Sequence, residues 1–100
     1  MIFSKNKYSI YNPLSEGRPL RILILEDSEL DVELLKIALR TKEFDFTERV
    51  VSNSTDFKKM LNEFNPDVIL SDYALPQFNG MEALRLVKSN KTTCPFIIVT

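Results

Sequence analysis

The sequence predicts an α/β domain whose strands form a parallel sheet with helices on both faces. Apolar strand-like runs alternate with amphipathic helical patterns along the chain, in the order β-α-β-α-β-α-β. Two runs, Arg21–Leu25 and Val68–Leu70, show no polar alternation within their apolar part, which is typical of strands buried on both faces. Both strands lead into acidic residues. Because parallel strands share one carboxyl edge, these acids are predicted to lie at the same side of the sheet.

Length and composition limit the functions that this chain can have. Its 100 residues suffice for one domain, with 44% hydrophobic and 27% charged residues and a net charge of −1. A near-neutral chain does not favour nucleic acid or an anionic membrane as a partner, and no apolar run is long enough to span a bilayer. The absence of histidine removes the usual general base, and the single cysteine, Cys94, cannot form a disulfide within the chain. These features suit a reducing cytoplasm.

The first half of the domain is predicted to follow a leader of residues 1–19. The leader has no continuous apolar core and no cleavage site, so it is not a secretory signal. After the first strand, Ser28 is a good N-cap with Asp31 three residues on. A wide apolar stripe then predicts a helix over residues 29–41; its members are Leu30, Leu34, Ile37 and Ala38, with Val32, Leu35 and Leu39 beside them.

The second unit combines a charged strand with a short helix. Residues 46–51 are rich in β-branched and aromatic side chains, and their charges indicate an edge strand. Ser54 is the expected N-cap of a helix over residues 55–64, in which Phe57, Leu61 and Phe64 recur at helical spacing. Asn65 and Pro66 end this helix.

The stretch from Pro66 to Gly80 is the one around which the chain is organised. A buried strand begins after Asp67 and ends at Asp72, a position where open α/β sheets bind ligands. The alternative is that Asp72 only starts the turn, since aspartate is common there. A loop then leads into a helix over residues 81–89, and residues 95–100 form the fourth strand.

Three carboxylates are therefore expected at two strand ends, namely Glu26, Asp27 and Asp72. If the strands are neighbours, the acids converge and repel one another, and a cation or a raised pKa must relieve this repulsion. Oxygen ligands without histidine or cysteine favour Mg²⁺, and an aspartate beside Mg²⁺ can act as a nucleophile toward phosphorus. Thr100 would place a hydroxyl at the same edge, where it could hydrogen-bond a phosphoryl oxygen. The alternative is that Thr100 is present only because β-branched residues favour strands.

Four pieces of the chain resemble the receiver domain of bacterial two-component response regulators. They stand in the family's order, and the resemblance covers residues 20–100: the pieces are Ile22–Asp27, Pro66–Asp72, Leu75–Gly80 and Pro95–Thr100. The resemblance implies a flavodoxin-like doubly wound parallel sheet, incomplete here, with four strands in the order 2-1-3-4 and three helices.

The resemblance also implies a signalling module rather than an enzyme. Asp72 corresponds to the family's phosphoacceptor, and Glu26 and Asp27 correspond to its Mg²⁺-binding acidic pair. In the family a backbone carbonyl two residues past the acceptor also binds the ion, which here belongs to Ala74. Thr100 corresponds to the hydroxyl residue that follows the phosphoryl group. The implied partner is a sensor histidine kinase or a phosphotransfer protein.

One departure from the family pattern concerns the end of the sequence. The family continues with a further helix, a fifth strand whose lysine pairs with the phosphoryl group, and a last helix, whereas this sequence ends at Thr100. Lys91, in a loop at the other edge of the sheet, is a poor substitute for that lysine. We therefore predict a receiver domain truncated after its fourth strand, whose apolar edge, Phe96–Val99, pairs with another copy of the chain.

Three other functions remain open from the sequence. A receiver that has lost phosphorylation would serve as an interaction or dimerisation module. A Mg²⁺-dependent phosphatase with an aspartate nucleophile usually has a second acid two residues on, where this chain has Ala74. A nucleotide-binding module needs a glycine-rich phosphate loop, but the chain has only Gly17 and Gly80.

Overall fold

A computed structural model describes residues 18–42, 45–72, 75, 78–90 and 94–99 of the chain. Most of the predicted leader, residues 1–17, lies outside the described residues, so the predicted boundary at residue 20 stays a prediction. The described elements alternate as predicted: β1 (Leu20–Leu25), α1 (Glu29–Arg40), β2 (Phe46–Val51), α2 (Ser54–Glu63), β3 (Val68–Asp72), α3 (Gly80–Ser89) and β4 (Phe96–Val99).

The four strands form one parallel sheet in the order β2-β1-β3-β4. The predicted α/β class, strand order and number of helices are therefore confirmed. β1 and β3 are the central pair, and their register places Ile22 opposite Val68 and Leu25 opposite Ser71. The residues that follow Leu25 consequently emerge beside the end of β3.

Each helix begins with a polar side chain that satisfies a free backbone N–H group of the first turn. Ser28 caps α1 by accepting from the N–H of Asp31, as predicted. The prediction of Ser54 as the cap of α2 was wrong, because Asn53 accepts from the N–H of Asp56 and Ser54 is the first helical residue. Asn79 forms a full capping box at α3: its Oδ1 accepts from the Glu82 N–H, and Glu82 Oε1 accepts from the Asn79 N–H.

Two hydrophobic clusters lie on the two faces of the sheet. The larger joins α2 and α3 to one face, and its buried members are Leu23, Leu25, Val51, Phe57, Leu61, Ile69, Leu75, Phe78, Ala83 and Val87. The smaller lies beneath α1 and consists of Leu20, Ile22, Ile24 and Val68, with Leu35 and Leu39 packed against it. The absence of alternation in β1 and β3 follows from this arrangement, because both faces of each strand are covered.

The stripe predicted for α1 does not mark its packing face. Leu30, Leu34 and Ile37 are 68%, 55% and 54% exposed, whereas Val32 is buried. Val32, Leu35 and Leu39 follow one another at spacings of three and four, so they share the side of the helix that meets the sheet. The apolar residues occur on more than one side of α1, and periodicity therefore could not select the buried one.

The fourth strand begins one residue later than predicted. β4 covers Phe96–Val99, Pro95 precedes it, and Thr100 lies outside the described residues. Just before β4, Cys94 is half-buried, and burial, with a smaller effect from the charge of Asp67, raises the pKa of its thiol to about 12.

Candidate functional site

The acids predicted to converge do so at the carboxyl edge of the sheet. Glu26, Asp27 and Asp72 each offer a carboxylate oxygen within 4.8 Å of the others. Glu26 and Asp72 are half-buried, and Asp27 is exposed. Two adjacent strands thus supply three carboxylates to one small volume that solvent can enter.

The position of this cluster follows from the pairing of β1 with β3. Leu25 and Ser71 are register partners, so Glu26 and Asp72 each follow at the next position along neighbouring strands. Ser71 is fully buried, and its hydroxyl donates to the backbone carbonyl of Asp72 at 3.1 Å. Ser71 is therefore anchored in the core at the end of β3, and the carboxylate of the next residue, Asp72, belongs to the acidic cluster.

Glu26 is oriented by the backbone that leads into α1. Its Oε2 accepts from the N–H groups of Asp27 and Ser28, both at 3.1 Å. These bonds use one carboxylate oxygen and restrain the side chain. The backbone N–H groups of the following two residues therefore hold the Glu26 carboxylate in place without a bound ligand.

The pKa of Glu26 is raised above its ordinary value of 4.5. Partial burial is the main cause, and the negative charges of Asp72 and Asp31 add to it, while the backbone N–H donors at Ser28 and Asp27 oppose it. Repulsion among the acids is thus a property of the folded chain.

The raised pKa of Glu26 predicts an unusual pH dependence for a carboxylate. Because folded Glu26 binds its proton more tightly than unfolded Glu26, its contribution to stability is fully present below pH 4.5 and is lost as the pH rises through the raised pKa. In EDTA, Glu26→Gln should therefore unfold at a higher urea concentration than wild type at pH 7, and this gain should disappear in acid.

The control for this experiment is Glu63→Gln, which neutralises an exposed carboxylate at the end of α2. We expect its urea midpoint to follow wild type at both pH values. A Glu26→Gln protein that is less stable than wild type at pH 7 would contradict a raised pKa for Glu26 in the folded chain.

The donor set and spacing of the cluster fit Mg²⁺. Mg²⁺ binds oxygen at about 2.1 Å, so ligand oxygens on opposite sides of the ion are about 4.2 Å apart. The spread of 4.8 Å among the three carboxylates is close to that distance. Glu26, Asp27 and Asp72 could hold the ion together with water molecules.

An apolar groove of about 380 Å³ opens beside the acids. Leu34 and Leu35 of α1 form one side, and Leu70 and Val99 of the sheet form the other. Asp31 also lines this groove, whereas the sequence pattern predicted for it only a place in the capping of α1. Its position in the first turn of α1 could have suggested this, since α1 begins at the same edge of the sheet.

Two other predicted site residues lie outside the described residues. These are Ala74, predicted to offer a backbone carbonyl, and Thr100, predicted to contact the phosphoryl group. Their roles stay predictions.

Comparison with known proteins agrees with this geometry. The family model described as "Response regulator receiver domain" matches residues 22–100. The matched segment forms a parallel sheet in the order 2-1-3-4 with an acidic cluster at its carboxyl edge. The chain therefore belongs to the response regulator receiver domain family.

Individual relatives share this segment. The chain is 31% identical over 80 residues to the DNA-binding response regulator MtrA of Mycobacterium leprae, covering 80% of this chain and 34% of MtrA. It is 28% identical over 86 residues to the transcriptional regulatory protein TrcR of Mycobacterium tuberculosis, covering 86% of this chain and 33% of TrcR. It is 34% identical over 82 residues to a protein-glutamate methylesterase/protein-glutamine glutaminase of Paramagnetospirillum magneticum, covering 82% of this chain and 23% of that protein.

The relatives are longer than the shared segment. The chain spans about a third or less of each of these three proteins. What is common to two regulators and an esterase is the segment that matches this chain, which here is a response regulator receiver domain. Within the described residues, no helix is both long and apolar enough to cross a membrane.

Proposed function

We propose that this chain accepts a phosphoryl group on Asp72 from a sensor histidine kinase or a phosphotransfer protein, in a reaction that requires Mg²⁺. The convergence of Glu26, Asp27 and Asp72 within 4.8 Å is the observation that carries the proposal. Membership of the receiver family supports it. Charge added at one site then changes which surface the domain offers to its partners.

The residues divide the chemistry between them. A carboxylate oxygen of Asp72 attacks phosphorus, an O–P bond forms, and the P–N bond to the donor imidazole breaks as the imidazole leaves. Glu26 and Asp27 hold Mg²⁺ together with Asp72. The ion, when bound, neutralises negative charge on the transferring oxygens.

Two further contacts belong to the proposal by family resemblance. The carbonyl of Ala74 is proposed as an additional ligand of the ion, and the hydroxyl of Thr100 as a hydrogen-bond donor to the phosphoryl group. Both residues follow strands that end at the acidic edge.

Intact-mass spectrometry tests the proposal directly. The chain is incubated with acetyl phosphate and Mg²⁺, and we expect one phosphoryl adduct that hydroxylamine removes, because an acyl phosphate is labile to this nucleophile. EDTA should prevent the adduct. No adduct on a chain that circular dichroism shows to be folded would reject phosphoacceptance and leave the interaction module as the better function.

The proposed setting is cytoplasmic, because the donor histidine kinase presents its phosphoryl group there. The names of MtrA and TrcR suggest that such a receiver can belong to a transcriptional regulator. We do not propose DNA binding for this segment, since its net charge is −1 and the family model accounts for residues 22–100.

Self-association through β4 is a second proposed property of this 100-residue chain. In the part of the chain that the structure describes, β4 pairs with β3 on one side only. Ile98 and Val99 are 39% and 41% exposed, and β4 carries no charge. β2, at the other edge, carries Glu48 and Arg49, which discourage edge pairing.

A charge on β4 should prevent this association. We expect wild type to form dimers or larger species as its concentration rises, and Ile98→Lys to stay monomeric, as measured by light scattering after size exclusion. Met81→Lys places the same charge on an exposed residue of α3 and should behave as wild type. A wild-type monomer over the full concentration range would rule out the β4 contact.

A further inference from the structure

At the amino edge of the sheet, opposite the acidic cluster, a buried carboxylate joins the starts of β1 and β3. Asp67, with a side chain only 6% exposed, accepts from Nη1 and Nη2 of Arg18 at 2.8 and 3.0 Å. It also accepts from the backbone N–H of Arg21 at 2.8 Å, and its own N–H donates to the Arg21 carbonyl at 2.8 Å. The Arg21 guanidinium lies 3.6 Å from the same carboxylate. We call Arg18, Arg21 and Asp67 the clasp.

Within their apolar stretches, the two strands joined by the clasp carry no polar side chain that could set their register. Ile22–Leu25 and Val68–Leu70 are apolar on both faces. In a strand with one polar face, a slip of one residue turns the buried apolar side chains toward solvent, which is unfavourable. Because these two strands are apolar on both faces, such a slip does not carry that cost. A slip of two residues would also return each side chain to its original face.

The clasp distinguishes the correct register from its neighbours. Moved by two residues in one direction, the Asp67 carboxylate would meet Pro19, which has no N–H to donate. Moved in the other direction, it would meet Leu23, away from both guanidinium groups. Either slip takes from a buried charge some of the donors that it has now, the Arg21 N–H in one direction and the guanidinium groups in the other, which proteins disfavour.

Register matters for the acids because the same strands carry them. A slip of two residues moves Asp72 by about 6.6 Å along β1. The carboxylates now lie within 4.8 Å of one another, so such a slip would separate Asp72 from Glu26 and Asp27. The register that the clasp sets at the amino end of β1 and β3 therefore also sets the distance between the acids at their carboxyl end.

We infer that Asp67 is a positioning residue for the acidic cluster: through Arg18 and Arg21 it fixes the register of β1 against β3 that brings Asp72 to Glu26 and Asp27. This inference rests on the proposed function in assigning Mg²⁺ to the cluster. The register itself is independent of that assignment.

The test compares Asp67→Ala with wild type in the full chain. Mg²⁺ is titrated while the amide signals of residues 26–28 are followed by NMR, and urea unfolding is measured in parallel. We expect Asp67→Ala to weaken Mg²⁺ binding by about tenfold or more in its folded population, a size typical of groups that orient metal ligands. We also expect a second set of β3 amide signals from the slipped register.

Matched variants separate positioning from general stability. Asp45→Ala removes an exposed carboxylate at the same edge and should leave Mg²⁺ binding unchanged. Asp67→Asn keeps an acceptor for the Arg21 N–H but loses the charge, and should fall between wild type and Asp67→Ala. If Asp67→Ala does not fold, Asp67→Asn and Arg18→Gln provide the comparison.

The possible results have separate meanings. Folded clasp variants with lower stability, one set of β3 signals and wild-type Mg²⁺ affinity would overturn the inference, because the clasp would then only stabilise the fold. If wild type itself binds no Mg²⁺, the proposed function fails, and the β1–β3 register signals of the variants still decide the inference.

Discussion

Asp72→Asn is expected to abolish phosphoryl uptake while the domain stays folded. The amide has nearly the same shape as the carboxylate but no anionic oxygen to attack phosphorus. Asp72 is half-buried at the end of β3, so the exchange opens no cavity in either core cluster. Intact mass after incubation with acetyl phosphate and Mg²⁺ should match a sample without donor.

The control for this prediction is Asp31→Asn. Asp31 lines the same groove and is also acidic, but it is not one of the three acids in the cluster. Its variant should still form the adduct. Equal uptake by Asp72→Asn and wild type would show that another residue is the acceptor.

Removal of the Asp72 charge should also be visible at Glu26. The negative charge of Asp72 is one of the causes that raise the pKa of Glu26. The pKa of Glu26 in Asp72→Asn should therefore move toward its ordinary value, as measured by NMR titration. This readout reports on the geometry of the cluster even where no phosphoryl group is transferred.

Phe57→Ala should produce the largest loss of stability among the substitutions considered. Phe57 is fully buried between the sheet and α3, and its ring centroid lies 5.4 Å from that of Phe78, with the rings tilted by 59°. A phenylalanine truncated to alanine in a core costs about 3–5 kcal/mol. The whole stability of a domain is about 5–15 kcal/mol, so much of it would be lost.

Urea unfolding at pH 7 measures this loss. Met81→Ala is the matched control, because Met81 is 42% exposed on α3, and its variant should change the free energy of unfolding by less than about 0.5 kcal/mol. A loss below about 1 kcal/mol for Phe57→Ala would mean that the cluster around Phe57 and Phe78 is loosely packed.

The fold was predictable because the strands and helices differ in their apolar periods. β1 and β3 are continuous apolar runs, and α2 repeats apolar residues at helical spacing, so the element types follow from local patterns. The convergence of Glu26, Asp27 and Asp72 was also predictable, because parallel strands share a carboxyl edge. Strand order was inferred from resemblance, since alternation alone fits several orders.

Other features depend on contacts that a local pattern does not contain. The packing side of α1 was not predictable, because apolar residues occur on several of its sides and the sheet selects Val32 rather than Leu30. The cap of α2 was placed one residue too late because Asn53 and Ser54 are both good caps, and the local pattern does not distinguish them. The clasp was missed because Arg18 and Asp67 are far apart in sequence.

The low reactivity of the Cys94 thiol affects how a denaturing gel of associated chains is interpreted. Because burial raises the pKa of its thiol to about 12, very little of Cys94 is the reactive thiolate at pH 7. Thiol–disulfide exchange at Cys94 is slow when so little thiolate is present. Cys94 is also the single cysteine of the sequence, so it has no partner within the chain. Folded copies that meet are therefore slow to cross-link through sulfur, and a thiol-blocking reagent added together with the denaturant, which exposes Cys94, keeps such cross-links from being mistaken for strand pairing.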